Sequence, residues 1–188
     1  MRVFGYLDTY PNGQIIIDTK LHDRSQYTPA RREAWDELYP DATEDLPENM
    51  PTPKGKEIQI TVFVDANHAR DKVTRRSVTG ILVLLNNTPV RFYCKRQKTV
   101  ETSTYGSEMV AARIAVETIL ELRYTLRMLG VPIEMTCLLL GDNNLVLLNT
   151  TIPSSMLKKK HLGCSYHRIQ EAVAGKIINF AYISSQNN

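Results

Sequence analysis

The sequence predicts an α/β fold, a mixed five-stranded sheet flanked by helices and preceded by an extended linker. Three features predict it: stretches that alternate apolar and polar residues, stretches whose apolar residues recur at three- and four-residue steps, and the order of the two kinds. That order is βββαβαβ from residue 57 onward. A chain of 188 residues, 43% hydrophobic and 23% charged, suits one folded domain with a smaller appendage.

The part before residue 57 has a different pattern of residues. Residues 2–10 carry an apolar stripe typical of a helix, and residues 15–17 are three isoleucines that favour a strand after a Pro-Asn-Gly stop. Residues 21–56 contain five prolines, many acids and little periodicity, so we interpret them as an acidic, Pro-rich linker. Trp35 lies in this linker and is expected to pack against a neighbouring domain.

The strands of the domain are predicted from alternation and turn residues. Residues 58–64 alternate as a half-buried strand does, and Asp65 closes that strand. Residues 81–85 and 90–93 flank an Asn-Asn-Thr-Pro turn and predict a hairpin beside it. Two further strands are predicted over residues 135–140 and 177–183.

The helices are predicted from apolar periodicity and from their caps. The best-defined helix begins at a Ser103 or Thr104 cap and stops at Gly130. A short helix is expected after the strand at residues 135–140. A longer one, over residues 161–174, follows a loop of three lysines.

Composition limits the classes of protein that this chain can belong to. The longest apolar runs are far shorter than the roughly 20 residues of a membrane helix, and the N-terminus lacks the pattern of a secretory signal. Three widely spaced cysteines, Cys94, Cys137 and Cys164, favour reduced, partly buried thiols. An intracellular protein, cytoplasmic or nuclear and with no membrane partner, is expected.

Charge is divided unevenly along the chain. Residues 1–56 have 7 Lys and Arg against 10 Asp and Glu, whereas residues 57–188 have 16 against 10. The surplus in the second part is compatible with a polyanionic partner such as a nucleic acid, and also with ordinary solvated surface charge.

Three acids, Asp65, Glu108 and Asp142, lie where predicted strands end or where the long helix begins. All three carboxylates are therefore expected at one edge of the sheet. Such a cluster suits Mg²⁺, which takes oxygen ligands, and two ions close together can promote phosphodiester hydrolysis. The alternative for each acid taken singly is an ordinary strand end or a favourable place at the helix N-terminus.

Seven short blocks carry a resemblance to a known family. They are Val64-Asp65-Ala66, Arg75-Arg76-Ser77-Val78-Thr79-Gly80, Lys95-Arg96-Gln97-Lys98-Thr99-Val100, Glu108-Met109-Val110-Ala111-Ala112, Gly141-Asp142-Asn143, Lys160-His161 and Tyr166-His167. In this order they resemble the ribonuclease H domain of copia-type retrotransposon polyproteins. Residues 57–188 match that domain, residues 1–20 look like the tail of the preceding reverse transcriptase, and residues 21–56 are the linker.

The resemblance implies a function and its ligands. Metal-dependent endonucleolytic hydrolysis of the RNA strand of an RNA/DNA hybrid is implied, with two Mg²⁺ or Mn²⁺ ions held by Asp65, Glu108 and Asp142. The implied partners are the hybrid and the reverse transcriptase domain of the same polyprotein.

The chain departs from the family pattern at three places. The family often has a second acid where this chain has Asn67, and Thr-Glu-Ala-Glu where it has Tyr105-Gly106-Ser107-Glu108. The family pattern also continues past the position of Asn188 to a fourth acid, so we expect a C-terminally truncated domain whose activity is impaired.

Further residues are candidates for contact with the substrate. Candidates for the phosphates and 2′-hydroxyls are Arg75, Arg76, Ser77, Lys95, Arg96, Lys98, Asn143 and Lys160. His161 is a candidate for proton transfer, although a structural role is the simpler expectation.

Two alternative functions stay open. One is a decayed or truncated copy that binds nucleic acid without cleaving it. The other is a DNA-directed enzyme on the same sheet architecture, such as an integrase or resolvase, because fold alone does not fix function.

Overall fold

The computed structural model describes residues 15–188. In this part of the chain a five-stranded mixed sheet has the order β3-β2-β1-β4-β5. The strands are β1 Ile60–Asn67, β2 Val78–Leu85, β3 Thr88–Arg96, β4 Cys137–Gly141 and β5 Ile178–Tyr182. β1, β2 and β3 are antiparallel neighbours, while β4 pairs parallel with both β1 and β5. The predicted mixed five-stranded sheet is confirmed.

Three of the helices in the described residues follow the predicted order, and the first one, in the segment interpreted as a linker, was not predicted. They are α1 Glu33–Leu38, α2 Thr104–Met128, α3 Asn144–Thr151 and α4 Gly163–Ala174, with a 3₁₀ turn at Lys160–Leu162. The sequence predicts the last helix from residue 161. In the structure the 3₁₀ turn comes first and α4 begins at Gly163.

Both ends of α2 have the predicted caps. Ser103 Oγ accepts a hydrogen bond from the backbone N–H of Gly106 at the N-terminus. At the C-terminus Gly130 has a φ of +69°, and the N–H groups of Gly130 and Val131 donate to the carbonyls of Arg127 and Leu126. This is a Schellman motif, which requires the left-handed backbone that glycine adopts readily.

The main core lies between one face of the sheet and helices α2 and α4. Its fully buried side chains include Ile60, Val62, Met109, Ile119, Leu139, Ile169 and Ile178. A smaller cluster on the opposite face joins Leu138, Leu140, Ala181 and Ile183 to Tyr27 and Phe63. Two apolar faces of the sheet are thus covered, the second one partly by the segment before the domain.

Residues 18–56, which we call the wrap segment, contact the domain along much of their length. Apart from α1 the segment is irregular, but it packs on the domain and is not an extended linker. Arg24 pairs with Glu134, with Nη1 and Oε2 2.6 Å apart, and Pro29 forms an isolated bridge with Ala181 of β5. Trp35 is 4% exposed in the core, and its indole N–H donates to the carbonyl of Thr151. The packing expected for Trp35 is therefore observed.

Glu44 fastens the wrap segment to α2. Its carboxylate accepts hydrogen bonds from Nη2 of Arg123 at 2.6 Å and from Nη1 of Arg127 at 2.6 Å. The Arg123 side chain is 1% exposed and also donates to the carbonyls of Glu134 and Met135. Burial by itself would raise the pKa of Glu44. The hydrogen bonds and positive charges of Arg127 and Arg123 together have the larger effect, so the pKa of Glu44 is lowered.

Some sequence expectations need correction. Residues 15–17 are irregular and exposed and do not form a strand. The backbone N–H and carbonyl of Asp18 hydrogen-bond to the side-chain hydroxyl of Thr88 in β3, so this contact is not a strand pairing. The helix predicted at residues 2–10 lies outside the described residues. Of the cysteines, Cys137 is buried but Cys94 and Cys164 are exposed, and all three are free. No helix within residues 15–188 has the length and apolar character to cross a membrane.

Candidate metal centre and nucleic-acid interface

Asp65, Glu108 and Asp142 meet at one edge of the sheet. β1 and β4 run parallel with Val64 opposite Gly141, so the residue that follows each pair, Asp65 or Asp142, lies at the same edge. Glu108 reaches this edge from α2, where its Oε1 accepts a hydrogen bond from the N–H of Ala66 at 3.1 Å. One ligand oxygen from each of the three carboxylates lies within 4.8 Å of the other two. The sequence-predicted convergence is thus observed.

The surroundings of the cluster raise the pKa values of two of its carboxyl groups, Glu108 and Asp65. Burial, followed by the negative charges of Asp65 and Asp142, raises the pKa of Glu108 to about 8, although the Ala66 N–H opposes this. The pKa of Asp65 is also raised, by burial and by Asp142. Holding several carboxylates together in a half-buried place therefore costs free energy that a bound cation would offset.

The donor set fits a hard divalent cation. Mg²⁺ prefers carboxylate oxygens and completes its coordination with water and substrate phosphate, so three carboxylates are enough. Asp142 is further held by Ser185, whose hydroxyl donates to Oδ2 at 2.6 Å. Two of the three acids are half-buried and Asp65 is exposed, so the cluster is open to a ligand on one side.

Five of the basic candidates lie at the same edge of the sheet, in the loop after β1 and at the end of β3. β1 ends, β2 begins and β3 ends at this edge, with Val78 opposite Arg96. Arg75 and Arg76 are in the β1–β2 loop, and Lys95, Arg96 and Lys98 are at the exposed end of β3. β3 is two strands from β1 and neighbouring strands are about 5 Å apart, so the backbone of Lys95 lies on the order of 10 Å from that of Asp65. A nucleic-acid strand can span both.

The solved structures most useful for comparison are ribonucleases H. RNase H1 from the halophilic archaeon Halobacterium salinarum has a TM-score of 0.52 and 14% identity, over 69% of this chain and 88% of that one. An N-terminal RNase H domain from Mycobacterium tuberculosis has a TM-score of 0.53 and 15% identity, over 70% of this chain and 86% of that one. This chain has the ribonuclease H fold. LC11-RNase H1, solved in complex with an RNA/DNA hybrid, has a TM-score of 0.51 and 14% identity, over 69% of this chain and 88% of that one. No protein-family profile matches the chain.

On this ribonuclease H fold two of the basic candidates have intramolecular partners. Arg96 pairs with Asp71 of the β1–β2 loop, and the Nζ of Lys95 lies 5.3 Å from the centroid of the Tyr93 ring. Asp71 also accepts hydrogen bonds from the N–H groups of Val73 and Thr74, and these bonds with the Arg96 contact hold its pKa well below the usual range. The ion pair therefore ties the end of β3 to this loop.

Ser77 and Asn143 have structural roles that the sequence did not indicate. Ser77 is fully buried and its Oγ accepts the N–H of Ala69 at 3.0 Å, so it shapes the β1–β2 loop and does not present a hydroxyl to a ligand. Asn143 caps α3, with Oδ1 accepting the N–H groups of Leu145 and Val146. Because Asn143 follows Asp142 directly, its cap also fixes the backbone beside the carboxylate cluster.

His161 and Lys160 lie in the 3₁₀ turn near the N-terminus of α2. Lys160 is exposed, whereas His161 Nε2 lies 3.1 Å from Oε2 of Glu101, whose side chain is 3% exposed. Lys159 contacts the cap residue Ser103 and its Nζ lies 5.9 Å from the centroid of the Tyr105 ring. His161 is thus tied to a buried carboxylate beside the helix that carries Glu108.

Sequence reasoning missed Glu101 and His68. Glu101 is a buried acid just before α2, and no local pattern connects it with His161 sixty residues later. His68 follows β1 and its Nδ1 lies 3.3 Å from Oγ of Ser107, the residue before Glu108. The one available signal was the position of His68 three residues after Asp65.

Proposed function

We propose that this protein is a ribonuclease H, an endonuclease that hydrolyses the RNA strand of RNA/DNA hybrids with the help of divalent cations. One observation carries the proposal. Asp65, Glu108 and Asp142 bring carboxylate oxygens within 4.8 Å of one another at one edge of a ribonuclease H fold. The structure of LC11-RNase H1 in complex with an RNA/DNA hybrid supports the hybrid as the partner.

The three carboxylates would hold Mg²⁺ or Mn²⁺, and we propose two ions. When bound, such ions stabilise the negative charge on the attacking and leaving oxygens of an in-line phosphoryl displacement. The chain's own part is to keep the carboxylates in place. The Ala66 N–H orients Glu108, and the Ser185 hydroxyl orients Asp142.

The basic residues at the same edge would bind the substrate backbone. The exposed ones are Arg75, Lys95 and Lys98, with the half-buried Arg76 beside them, and Lys160 is exposed in the 3₁₀ turn. Contacts of this kind supply affinity without reading sequence. We propose that His161, whose Nε2 lies 3.1 Å from Oε2 of Glu101, moves a proton near the leaving oxygen, which is a common task for a histidine.

We further propose that the chain comes from a copia-type retrotransposon polyprotein and acts with its reverse transcriptase domain. The seven sequence blocks and the ribonuclease H fold support this. The three free cysteines support a location inside the cell, in the cytoplasm or the nucleus.

The test is cleavage of an end-labelled RNA/DNA hybrid by the 188-residue protein in Mg²⁺ and in Mn²⁺. We expect the RNA strand alone to be cut into fragments with 5′ phosphates and 3′ hydroxyls. Asp65→Asn is the matched variant and should abolish cutting while leaving the fold intact. Equal cutting of plain duplex DNA would refute the assignment, and tight hybrid binding without cleavage would favour a non-cleaving binding module.

A further inference from the structure

The face of β1, β2 and β3 that lies opposite the main core has an apolar groove. Leu82 lies between Phe63 and Phe92 in the strand register, so these three side chains share this face. Leu84 is two residues further along β2 and lies on the same face. Together with Cys94 these residues line a groove of about 520 Å³, which has room for several side chains of another segment.

The wrap segment covers one side of this face. The ring of His22 packs edge-on against that of Phe63, with 6.2 Å between the ring centroids. By contrast, Phe92 is 65% exposed on β3, the strand at the open edge of the sheet, and Leu82 is half-buried beside it. Contiguous apolar side chains that stay exposed in this way mark a surface on which another segment packs.

The chain enters the described residues at one end of this groove. The N–H of Asp18 donates to Oγ1 of Thr88 at 2.9 Å, and Thr88 Oγ1 donates to the carbonyl of Asp18 at 2.9 Å. Thr88 is the first residue of β3, and Phe92 lies four residues on, about 13 Å along the strand. Residues 1–14, which are outside the described part of the chain, are therefore connected to the domain beside the groove.

The length of this outer part of the chain allows it to reach the groove. A helix over residues 2–10 would be about 13 to 14 Å long at 1.5 Å per residue, close to the distance from Thr88 to Phe92. Residues 11–17 connect it to Asp18 and can span up to about 23 Å when extended. Every part of the groove is therefore within reach.

The residue pattern of this outer part suits an apolar partner. The apolar stripe of residues 2–10 consists of Val3, Tyr6, Leu7 and Tyr10. A helix this short is marginal in water by itself, so it needs an apolar surface against which to bury its stripe. The exposed isoleucines at residues 15–17 continue this apolar character up to the groove.

We propose that residues 2–10 dock as an amphipathic helix in the groove, with their apolar stripe against Phe92, Leu82 and Leu84. The opposite side of the helix, with Gly5, Asp8 and Thr9, then faces water. Docking buries apolar surface on both partners and covers the open side of the sheet next to the strand that carries Asp65. This docking does not depend on the proposed ribonuclease H function.

The test measures the reactivity of single cysteines placed along residues 2–10 of the full chain. Cys94→Ser and Cys164→Ser remove the exposed native thiols, while the buried Cys137 stays. One residue at a time is then changed to cysteine, either on the stripe or on the opposite side. The positions are Val3, Tyr6, Leu7 and Tyr10 on the stripe and Gly5, Asp8 and Thr9 on the other side. Alkylation rates with a maleimide dye are compared, and melting temperatures check folding.

We expect the stripe cysteines to react roughly tenfold more slowly than those on the opposite side, because a thiol in the groove reacts only when the helix opens. Phe92→Asp should abolish this difference, since it places a charge in the apolar groove. Met156→Asp is the matched control, at a methionine that is 83% exposed in the loop before the 3₁₀ turn, and should leave the difference unchanged.

The native Cys94 then shows where the helix lies. With Cys94 restored, at least one stripe cysteine should form an intramolecular disulfide with it on oxidation by diamide, whereas cysteines on the opposite side should not. Non-reducing electrophoresis and mass mapping of the linked peptides measure this. The experiment needs no change at Phe92, so misfolding of that variant cannot hide the answer.

Three results would overturn the proposal. Equal alkylation rates on the two sides would show that no helix is docked, and protection that persists in Phe92→Asp would place the helix elsewhere. Disulfides that join two chains, with protection that rises with protein concentration, would assign the groove to a second copy of the protein. If Phe92→Asp lowers the melting temperature too far for use, Phe92→Ser takes its place with the same expected loss of protection.

Discussion

Gly106 of α2 leaves the space that the carboxylate of Glu101 occupies. A Cβ at Gly106 would lie 2.6 Å from Oε2 of Glu101 and 3.2 Å from its Cβ. The Glu101 carboxylate thus fills the space beside Gly106 that a side chain at residue 106 would need. That carboxylate contacts His161 and lies by the N-terminus of α2, where negative charge is favourable.

The pairing of Glu101 with Gly106 predicts strong coupling between substitutions at the two positions. With Glu101 in place, Gly106→Ala should displace the carboxylate and destabilise the protein. In a Glu101→Ala background Gly106→Ala should leave the stability of the protein unchanged or raise it by up to about 1 kcal/mol, because alanine favours the helix over glycine by that amount. Urea unfolding of the four proteins gives the coupling free energy. A value near zero would show that the two side chains do not compete for space.

The raised pKa of Glu108 predicts that the metal-free protein becomes less stable as pH rises. Its pKa is raised to about 8, so the folded state binds this proton more tightly than the unfolded state does. The stabilisation is complete below about pH 4.5 and is lost as pH rises through about 8. Glu108→Gln should therefore stabilise the protein by about 1 to 3 kcal/mol at pH 8.5 in EDTA, with little effect at pH 4.5. Urea unfolding at the two pH values measures this. Equal effects at both would contradict the prediction.

Binding of Mg²⁺ should raise the melting temperature through the same carboxylates. A cation at ten times its dissociation constant stabilises the native state by about 1.4 kcal/mol. For a chain of this size that corresponds to roughly 3 to 6 °C. Asp142→Asn should reduce the shift, whereas Glu121→Gln at an exposed acid of α2 should not. A shift that persists in Asp142→Asn would place the cation elsewhere.

Glu44→Gln should destabilise the protein strongly. It leaves the guanidinium of Arg123, 1% exposed, without its counterion, and breaking such a pair costs about 3 to 5 kcal/mol. Asp36→Asn, at an exposed acid that pairs with Arg32 and Lys176, is the control and should cost less than about 1 kcal/mol.

The pH dependence of the Glu44 contribution has the opposite sign to that of Glu108. Its pKa is lowered in the folded state, so its contribution is present above about pH 4.5 and is lost as pH falls further. The difference in unfolding free energy between wild type and Glu44→Gln should therefore narrow in acid. A difference that stays constant to low pH would contradict the role of this charge.

Trp35→Ala should cost about 3 to 5 kcal/mol, because it empties a large buried site. Trp35→Phe retains most of the volume but leaves the Thr151 carbonyl without its donor, so a cost of about 1 to 3 kcal/mol is expected. The chain has one tryptophan, so its fluorescence reports directly on docking of the wrap segment. A cost below about 1 kcal/mol for Trp35→Ala would mean that the segment is not part of the folded core.

The sequence by itself determined the elements of residues 57–188 and the acid cluster. Alternation identified β1, and Ser103 with Gly130 bounded α2. The turn residues identified the β2–β3 hairpin, although Thr88 and Pro89 belong to β3 and the turn itself is Asn86-Asn87. Asp65, Glu108 and Asp142 were predicted to converge because the ends of parallel strands and the start of a nearby helix share one edge of a sheet. These features depend on residues that are close along the chain or on simple rules of sheet topology.

Only the tertiary structure decided which side chains are available to a ligand. Glu44 meets Arg123 over 79 residues and Trp35 meets Thr151 over 116, so the wrap segment packs on the domain through contacts that local periodicity cannot reveal. Burial removed Ser77 from the predicted contact surface, while Ser107 fixed the ring of His68 at the carboxylate edge. The physical reason is the same in each case. A polar side chain takes its role from the partner that folding brings to it, and that partner is distant in the sequence.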